Sequence, residues 1–452
     1  SLLYGERCAL SFALTIVLAV VTGSLLCLLC RGGRGTSSIK DGFMIVALAW
    51  IVLSAIGALP FVFSKEIPSY IDAFFETVSG FTTTGATILA DVEALSRGML
   101  FWRGFTHWIG GMGILVFVVM LVNTPDRSIN ILKAEMPGPT VDKLVPKSKD
   151  TARTLYIIYT ALTALEVIFL LFGGMSLFDS VVHALSTAGT GGFGAYNASA
   201  ANFSPYIQWV LTVFMFLFAI NFNLFYLILL GRMRDVFRNT EFRVYLAIVL
   251  VSVAVITAEI MPLYRTFSDS LRQAAFQVAS IISTTGFITA DFTVWTPLSK
   301  VLLLGLMFVG GCAGSTAGGL KVSRVAILFK MMRRELRHTL RPRVVDVIKM
   351  DGRRLDEQTA HSVAVYFALY ILSIAALIVS LSFSRFDLET NLFAAISCFN
   401  NVGPGFGMVG PVGNYSPYPP LFKLLLSAGM LLGRLEIYPM LLLFMPAAWR
   451  KR

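Results

Sequence analysis

Apolar positions along the chain gather into long runs, at 8–30, 43–63, 99–122, 155–172, 207–230, 244–261, 298–309, 362–383 and 421–446, with polar interruptions between them. A helix needs roughly 20 residues to cross about 30 Å of hydrocarbon, so the pattern predicts about nine crossings and an all-α integral membrane fold.

The connections carry a second pattern. Four of them contain a semi-apolar stretch too short to cross, followed by a cluster of Thr, Ser, Asn and Gly: 71–87, 178–197, 269–292 and 388–407. Each predicts a re-entrant hairpin. Aligned on the acidic residue at the helix start (Asp72, Asp179, Asp269, Asp387, with Glu389 nearby) and on the last small-residue turn, Gly85, Gly192, Gly286 and Gly403 fall in register. Their separations are 107, 94 and 117 residues. With an apolar span before and after each hairpin, the chain divides into four units of outer helix, pore helix, filter and inner helix about a central axis. The expected boundaries are an N-terminal helix and cytoplasmic loop at 1–42, then repeats at 43–153, 154–242, 243–358 and 359–452.

Non-helical backbone at membrane depth is tolerated only where protein buries it or water lines it. A ring of four such segments satisfies both conditions, because their carbonyls can replace the hydration shell of a cation while their flanks pack on helices. The negative ends of the four short helix dipoles point inward at the ion. The filter candidates are Thr82, Thr83, Thr84 and Gly85; Gly189, Thr190, Gly191 and Gly192; Ser283, Thr284, Thr285 and Gly286; and Asn400, Asn401, Val402 and Gly403. The site calls for no covalent chemistry and no cofactor, only the permeating ion.

The inner helices share an interruption about 13 residues from their starts, roughly 20 Å at the helical rise: Gly110, Gly111 and Gly113; Asn221; Gly310 onward; and Gly433 with Arg434. Glycines in membrane helices also serve close packing, which is the plain alternative for the first group. The third is different. Residues 310–319 include Gly310, Gly311, Gly314, Ser315, Thr316, Gly318 and Gly319, a composition with poor helix propensity. The segment lacks the GxxxxGK[ST] spacing of a phosphate loop although Lys321 follows it, and is expected to be an intramembrane gate. Arg434 lies at the same depth. It is either a positive charge in the pore or the partner of an acidic residue such as Glu436, Glu166 or Glu259.

Composition supports the membrane reading: 56% of the residues are hydrophobic and 14% charged, against about 25% charged in globular domains. The net charge of +11 points to orientation rather than to nucleic acid, since 27 of the 37 lysines and arginines lie in 31–42, 123–153, 231–243, 321–358 and 449–452. Placing those segments in the cytoplasm obeys the positive-inside rule. The first visible helix then runs inward, which implies a further helix upstream of Ser1 if the native terminus is cytoplasmic. The stretch 324–354 is expected to be helical, then extended after Pro342, and to serve either as a solvated loop or as a docking surface for an acidic partner or anionic lipid. Cys8, Cys27, Cys30, Cys312 and Cys398 are scattered through apolar segments and lack zinc-site spacing, as do the four histidines. A metalloenzyme and an intramembrane hydrolase are both disfavoured.

Four helix–hairpin–helix units in one chain, with filter glycines in the settings TTTG, GTGG, STTG and NNVG, resemble the Trk/Ktr/HKT superfamily of potassium transporters. The stretches NNVGPGFG and GSTAGGLK are similar to those of the bacterial Trk-system membrane subunit. The resemblance covers essentially the whole chain and implies potassium selectivity, a homodimer of pores, a cytoplasmic nucleotide-binding regulatory subunit, and residence in the bacterial inner membrane. A secondary transporter coupling potassium to protons or sodium is the alternative. Such folds use inverted repeats and broken helices, whereas these four units share one topology.

Overall fold

The computed structural model describes residues 4–6, 8–29, 39–113, 148–343 and 346–449. Most of the basic segments 31–42, 123–153 and 449–452, residue Cys30, and the part of the third run beyond Gly113 lie outside the described residues.

Helix α1 (Cys8–Leu29) has an inverted burial pattern. Cys8, Ser11 and Thr15 face protein, whereas Leu, Ile and Val along the rest of the helix are exposed. Lipid is as apolar as those side chains, so such a helix gains nothing by burying them in protein. Four units follow. The first has an outer helix in two pieces, α2 (Ile39–Gly57) and α3 (Leu59–Ser64), then re-entrant α4 (Tyr70–Phe81) and inner α5 (Arg97–Met112). The second has α6 (Ser148–Phe172), α7 (Leu177–Gly189) and an inner helix split into α8 (Pro205–Phe218) and α9 (Phe222–Leu229), with α10 (Met233–Arg238) leading on. The third has α11 (Thr240–Ile260), α12 (Phe267–Ile282) and α13 (Pro297–Val309), and after a non-helical loop α14 (Val322–Leu340). A two-stranded hairpin, β1 (Lys349–Met350) with β2 (Arg353–Arg354), precedes the fourth. That unit has α15 (Glu357–Leu381), α16 (Leu388–Asn400) and α17 (Pro420–Arg434), followed by α18 (Tyr438–Leu443) and α19 (Pro446–Trp449).

Local sequence explains where the short helices begin. Ser69, Ser176, Thr266 and Asp387 cap α4, α7, α12 and α16, each side chain accepting the N–H three residues on. The acidic residues are therefore not equivalent. Asp72, Asp179 and Asp269 sit in the first turn behind a Ser or Thr cap, whereas Asp387 is itself the cap. Alignment on the acids misplaces the fourth unit, and also the third, where α12 has 16 residues against 12 in α4 and 13 in α7 and α16. Proline at the first turn starts α8, α13 and α17, where its missing N–H costs no hydrogen bond.

Every inner helix stops at one depth, at Met112, Phe218, Val309 and Arg434. Among the described residues five helices are long and apolar enough to cross a membrane, and the pair α8 and α9, bent by 92°, passes the same test only when its two pieces are taken together. The runs at 207–230 and 421–446 are both broken, where interruptions were expected at Asn221 and at Gly433 with Arg434. Asn221 caps a new helix after the first break, and the left-handed residues Glu436 and Ile437 end the second.

The units close into a ring. Each re-entrant helix packs on the inner helix of its own unit and also on that of the unit before: α5 on α7, α8 on α12, α13 on α16, and α17 back on α4. The chain is an all-helical membrane protein of four pseudo-repeats around a central axis.

Candidate functional site

Each re-entrant helix ends in the same backbone figure. Thr83, Thr190, Thr284 and Asn401 adopt left-handed φ of 55°, 56°, 56° and 56°, and two residues later Gly85, Gly192, Gly286 and Gly403 have φ of 74°, 77°, 82° and 96°. A side chain at the glycine position would be strained by φ alone.

Space excludes it as well, and in a cyclic pattern. A Cβ on Gly85 would collide with the Gly191 carbonyl oxygen, one on Gly192 with that of Thr285, one on Gly286 with that of Val402, and one on Gly403 would lie 2.5 Å from that of Thr84. Unit one thus meets two, two meets three, three meets four and four meets one. The four glycines that sequence alone placed in separate segments, with the residues before them, come together around one axis. The carbonyls of Thr84, Gly191, Thr285 and Val402 thus each lie against the glycine of a neighbouring unit.

Side chains brace the segments from behind. Thr82 and Thr84 hydroxyls lie 2.8 Å apart, Ser283 and Thr285 hydroxyls 2.6 Å, and Asn401 Nδ2 donates to Thr84 Oγ1 and the Met430 carbonyl, each at 3.0 Å. His107 donates from Nδ1 to the Gly80 carbonyl at 2.7 Å, and its ring lies against Gly191. Thr83 Oγ1 and Asn401 Oδ1 are buried with no hydrogen-bond partner among the described residues. The Asn401 oxygen faces Gly433 of α17, behind the ring.

Beneath the ring, residues 310–319 form a folded loop with no helix. Gly310, Gly314 and Gly319 take left-handed φ, and the two legs pair through Leu320 N–H to the Phe308 carbonyl and Lys321 N–H to the Val309 carbonyl, both 3.0 Å. Cys312 N–H donates to the Ala219 carbonyl at 2.9 Å and Phe222 N–H to the Gly314 carbonyl at 3.0 Å, so the break in the second inner helix supplies the loop with partners. Thr316 Oγ1 donates to the Phe218 carbonyl at 3.1 Å, and Ser315 Oγ to the Cys312 carbonyl at 2.6 Å. Gly318 N–H donates to Thr284 Oγ1 at 2.7 Å, tying the loop to the third turn segment, and a Cβ on Gly318 would collide with the Asn400 carbonyl of the fourth. Gly311 packs its α-carbon against Ala317 and the Ala219 carbonyl.

Arg434 joins three units at this depth. Its guanidinium donates at 2.6 Å to the carbonyls of Thr316 in the loop and of Gly110 and Gly111 at the end of α5. Glu436, the closest in sequence of the acidic partners considered for it, instead pairs with Arg324. That arginine, expected on a cytoplasmic surface, is buried over the Tyr366 ring, 4.1 Å from its centroid. Further along the same basic stretch Arg334 pairs with Glu357 and Arg337 with Asp346, both at 2.9 Å. Gly110 and Gly111 allow close packing, since a Cβ on either would strike the backbone of Phe81 or Gly189.

Sequence reasoning missed four groups. Glu241, at the start of α11, accepts the Ala313 N–H at 2.7 Å and the Ser323 N–H at 3.0 Å, clamping both the loop and the helix after it. Arg103 pairs with Glu76 at 2.9 Å, both buried, and Glu76 also takes the Ile88 N–H at 3.0 Å behind the first turn segment. The Arg324 and Glu436 pair is the third, and Tyr415, whose hydroxyl donates to the Gly403 carbonyl at 2.8 Å, is the fourth. A charge inside an apolar helix, as at Glu76 and Arg103, was the available signal.

The fold and the ring define a membrane protein with a four-segment axial site of backbone oxygens and a loop beneath it. The chain matches the family model TrkH, described as cation transport protein, over residues 9–451, and it belongs to that family. It is 38% identical over 458 residues to the Trk system potassium uptake protein TrkH of Salmonella typhimurium, covering 100% of this chain and 94% of that protein. It is 33% identical over 452 residues to the Trk system potassium uptake protein TrkI of Halomonas elongata, covering 99% of this chain and 91% of that one. Among solved structures, the potassium transporter TrkH from Vibrio parahaemolyticus superposes with a TM-score of 0.89 at 34% identity, covering 99% of this chain and 94% of the other.

Proposed function

We propose that the chain is a channel-like potassium uptake protein of the bacterial inner membrane, with the four turn segments as its selectivity filter and residues 310–319 as its gate. The observation that carries this reading is the closed cycle of glycine-to-carbonyl contacts, which leaves a ring of backbone oxygens with no Cβ inside it. Such a ring replaces the hydration shell of a potassium ion at little cost. Potassium moves inward with the membrane potential, and no covalent step is required. The relatives named for potassium uptake support the choice of ion. A homodimer and a cytoplasmic nucleotide-binding regulatory subunit acting on the gate through α14 complete the proposal, since α14 continues directly from the loop.

The test is reversal potential in liposomes holding purified protein. Gly85→Ser should lower the potassium-to-sodium permeability ratio, because the new side chain has nowhere to go but into the Gly191 carbonyl. A normally folded variant with an unchanged ratio would refute the filter assignment. The same measurement at two pH values separates passive conduction from proton coupling: a potential that tracks the potassium gradient alone supports a channel, and one that shifts with the proton gradient supports a coupled transporter.

A further inference from the structure

The four quarters of the ring are not chemically equal, and the difference lies at one carbonyl. Among the described residues no donor reaches the carbonyl oxygens of Gly85, Gly192 or Gly286, whereas Gly403 accepts a hydrogen bond from the Tyr415 hydroxyl at 2.8 Å. Tyr415 is 2% exposed and sits behind the ring where the fourth unit meets the first. Its ring packs on Phe75 of α4, with centroids 5.6 Å apart, and its N–H donates to the Thr87 carbonyl at 2.9 Å. Tyr418 lies beside it, and its hydroxyl donates to Asn391 Oδ1 at 3.0 Å, away from the ring. Gly403 also has the largest φ of the four glycines, 96° against 74°, 77° and 82°.

A carbonyl oxygen accepts hydrogen bonds near the plane of the C=O group, roughly along its two lone-pair directions. A donor anchored in the protein wall therefore engages one lone pair of that oxygen and biases the carbonyl toward the wall. We propose that Tyr415 is a specificity-determining residue: it withdraws the Gly403 carbonyl, so that the glycine layer offers a passing cation three oxygens in place of four. The inference rests on the filter reading above. Selectivity for potassium over the smaller sodium depends on the number of carbonyl dipoles around the ion. A layer short of one dipole holds potassium less tightly and discriminates less.

Tyr415→Phe removes the hydroxyl and keeps the ring. It should raise the potassium-to-sodium permeability ratio about fivefold, the factor that one net hydrogen bond of about 1 kcal/mol represents. Tyr418→Phe deletes a neighbouring buried hydroxyl and should leave the ratio at the wild-type value. Gly85→Ser, measured in parallel, tells the two readings apart. If Gly85→Ser lowers the ratio while Tyr415→Phe leaves it unchanged or lowers it, the role given to Tyr415 is wrong and the filter stands. If neither variant moves it, both are wrong. An equal rise in Tyr415→Phe and Tyr418→Phe means general loosening and also overturns the inference. Should Tyr415→Phe fail to fold, an experimental map of the unaltered protein with rubidium decides the matter. Three glycine oxygens around an ion in that layer support the assignment, and four refute it.

Discussion

Replacing Arg434 by alanine should increase potassium flux. The guanidinium donates to one carbonyl of the loop, Thr316, and to two carbonyls at the end of α5, so it fastens the loop to the opposite wall of the pathway. A hydrogen bond from a charged donor contributes about 1.5 to 3 kcal/mol. Counting only the bond to Thr316, its loss shifts the balance between closed and open loop by about ten- to a hundredfold, at 1.4 kcal/mol per factor of ten. The same change removes a positive charge from below the ring, which lowers the barrier to a cation at the reduced dielectric of that site. The two effects act in the same direction, and Arg434→Lys separates them. Lysine keeps the charge but has no planar fork to span carbonyls from two units. Potassium influx into liposomes, at matched reconstituted protein, is the assay. Flux raised equally in both variants identifies the tether as dominant, and flux raised in alanine alone identifies the charge. Influx in Arg434→Ala equal to wild type would refute both halves of the reasoning.

Glu241→Gln should weaken the grip on Ala313 and Ser323 and raise basal flux several-fold, since a neutral amide oxygen accepts about half as strongly as a carboxylate; unchanged basal flux would remove Glu241 from gate control. Deleting 312–317 should give flux independent of any cytoplasmic partner, and a variant that inserts but stays closed until the partner acts would place the gate elsewhere. Arg103→Ala should cost about 3 to 5 kcal/mol of stability by leaving Glu76 buried without its partner. Thermal unfolding in detergent checks this, and a midpoint within a degree of wild type would count against it.

The parts of this fold that were legible in sequence are those that local chemistry dictates. Apolar runs mark the spans, Asp72, Asp179 and Asp269 mark the first turns of the short helices, and the four ring glycines announce themselves because only glycine combines left-handed φ with backbone contact on the far side. The small-residue content of 310–319 likewise foretold a segment without helix. What stayed hidden depends on partners distant in sequence. Arg324 looked like one more cytoplasmic charge, because Glu436 lies 112 residues away. Asn221 marked a break in the second inner helix, but not a bend of 92°, because the loop that feeds its freed backbone groups belongs to the next unit. The acidic residues misled for a local reason: aspartate serves equally as a cap and as a first-turn residue, and composition does not tell the two apart.

Because α17 returns to α4, the ring is finished within a single polypeptide. In a pore assembled from four identical subunits every substitution appears four times, and a residue that suits one wall must suit all. Here a change alters one wall in four. Asn401 occupies the place held by threonine in the other three units, Val402 that of Thr84, and Lys423 of the last inner helix reaches Asp72 of the first re-entrant helix at 2.5 Å. A closed ring of this kind can be tuned in quarter steps, with each wall free to carry its own loop, cap or ion pair while the other three stay as they are.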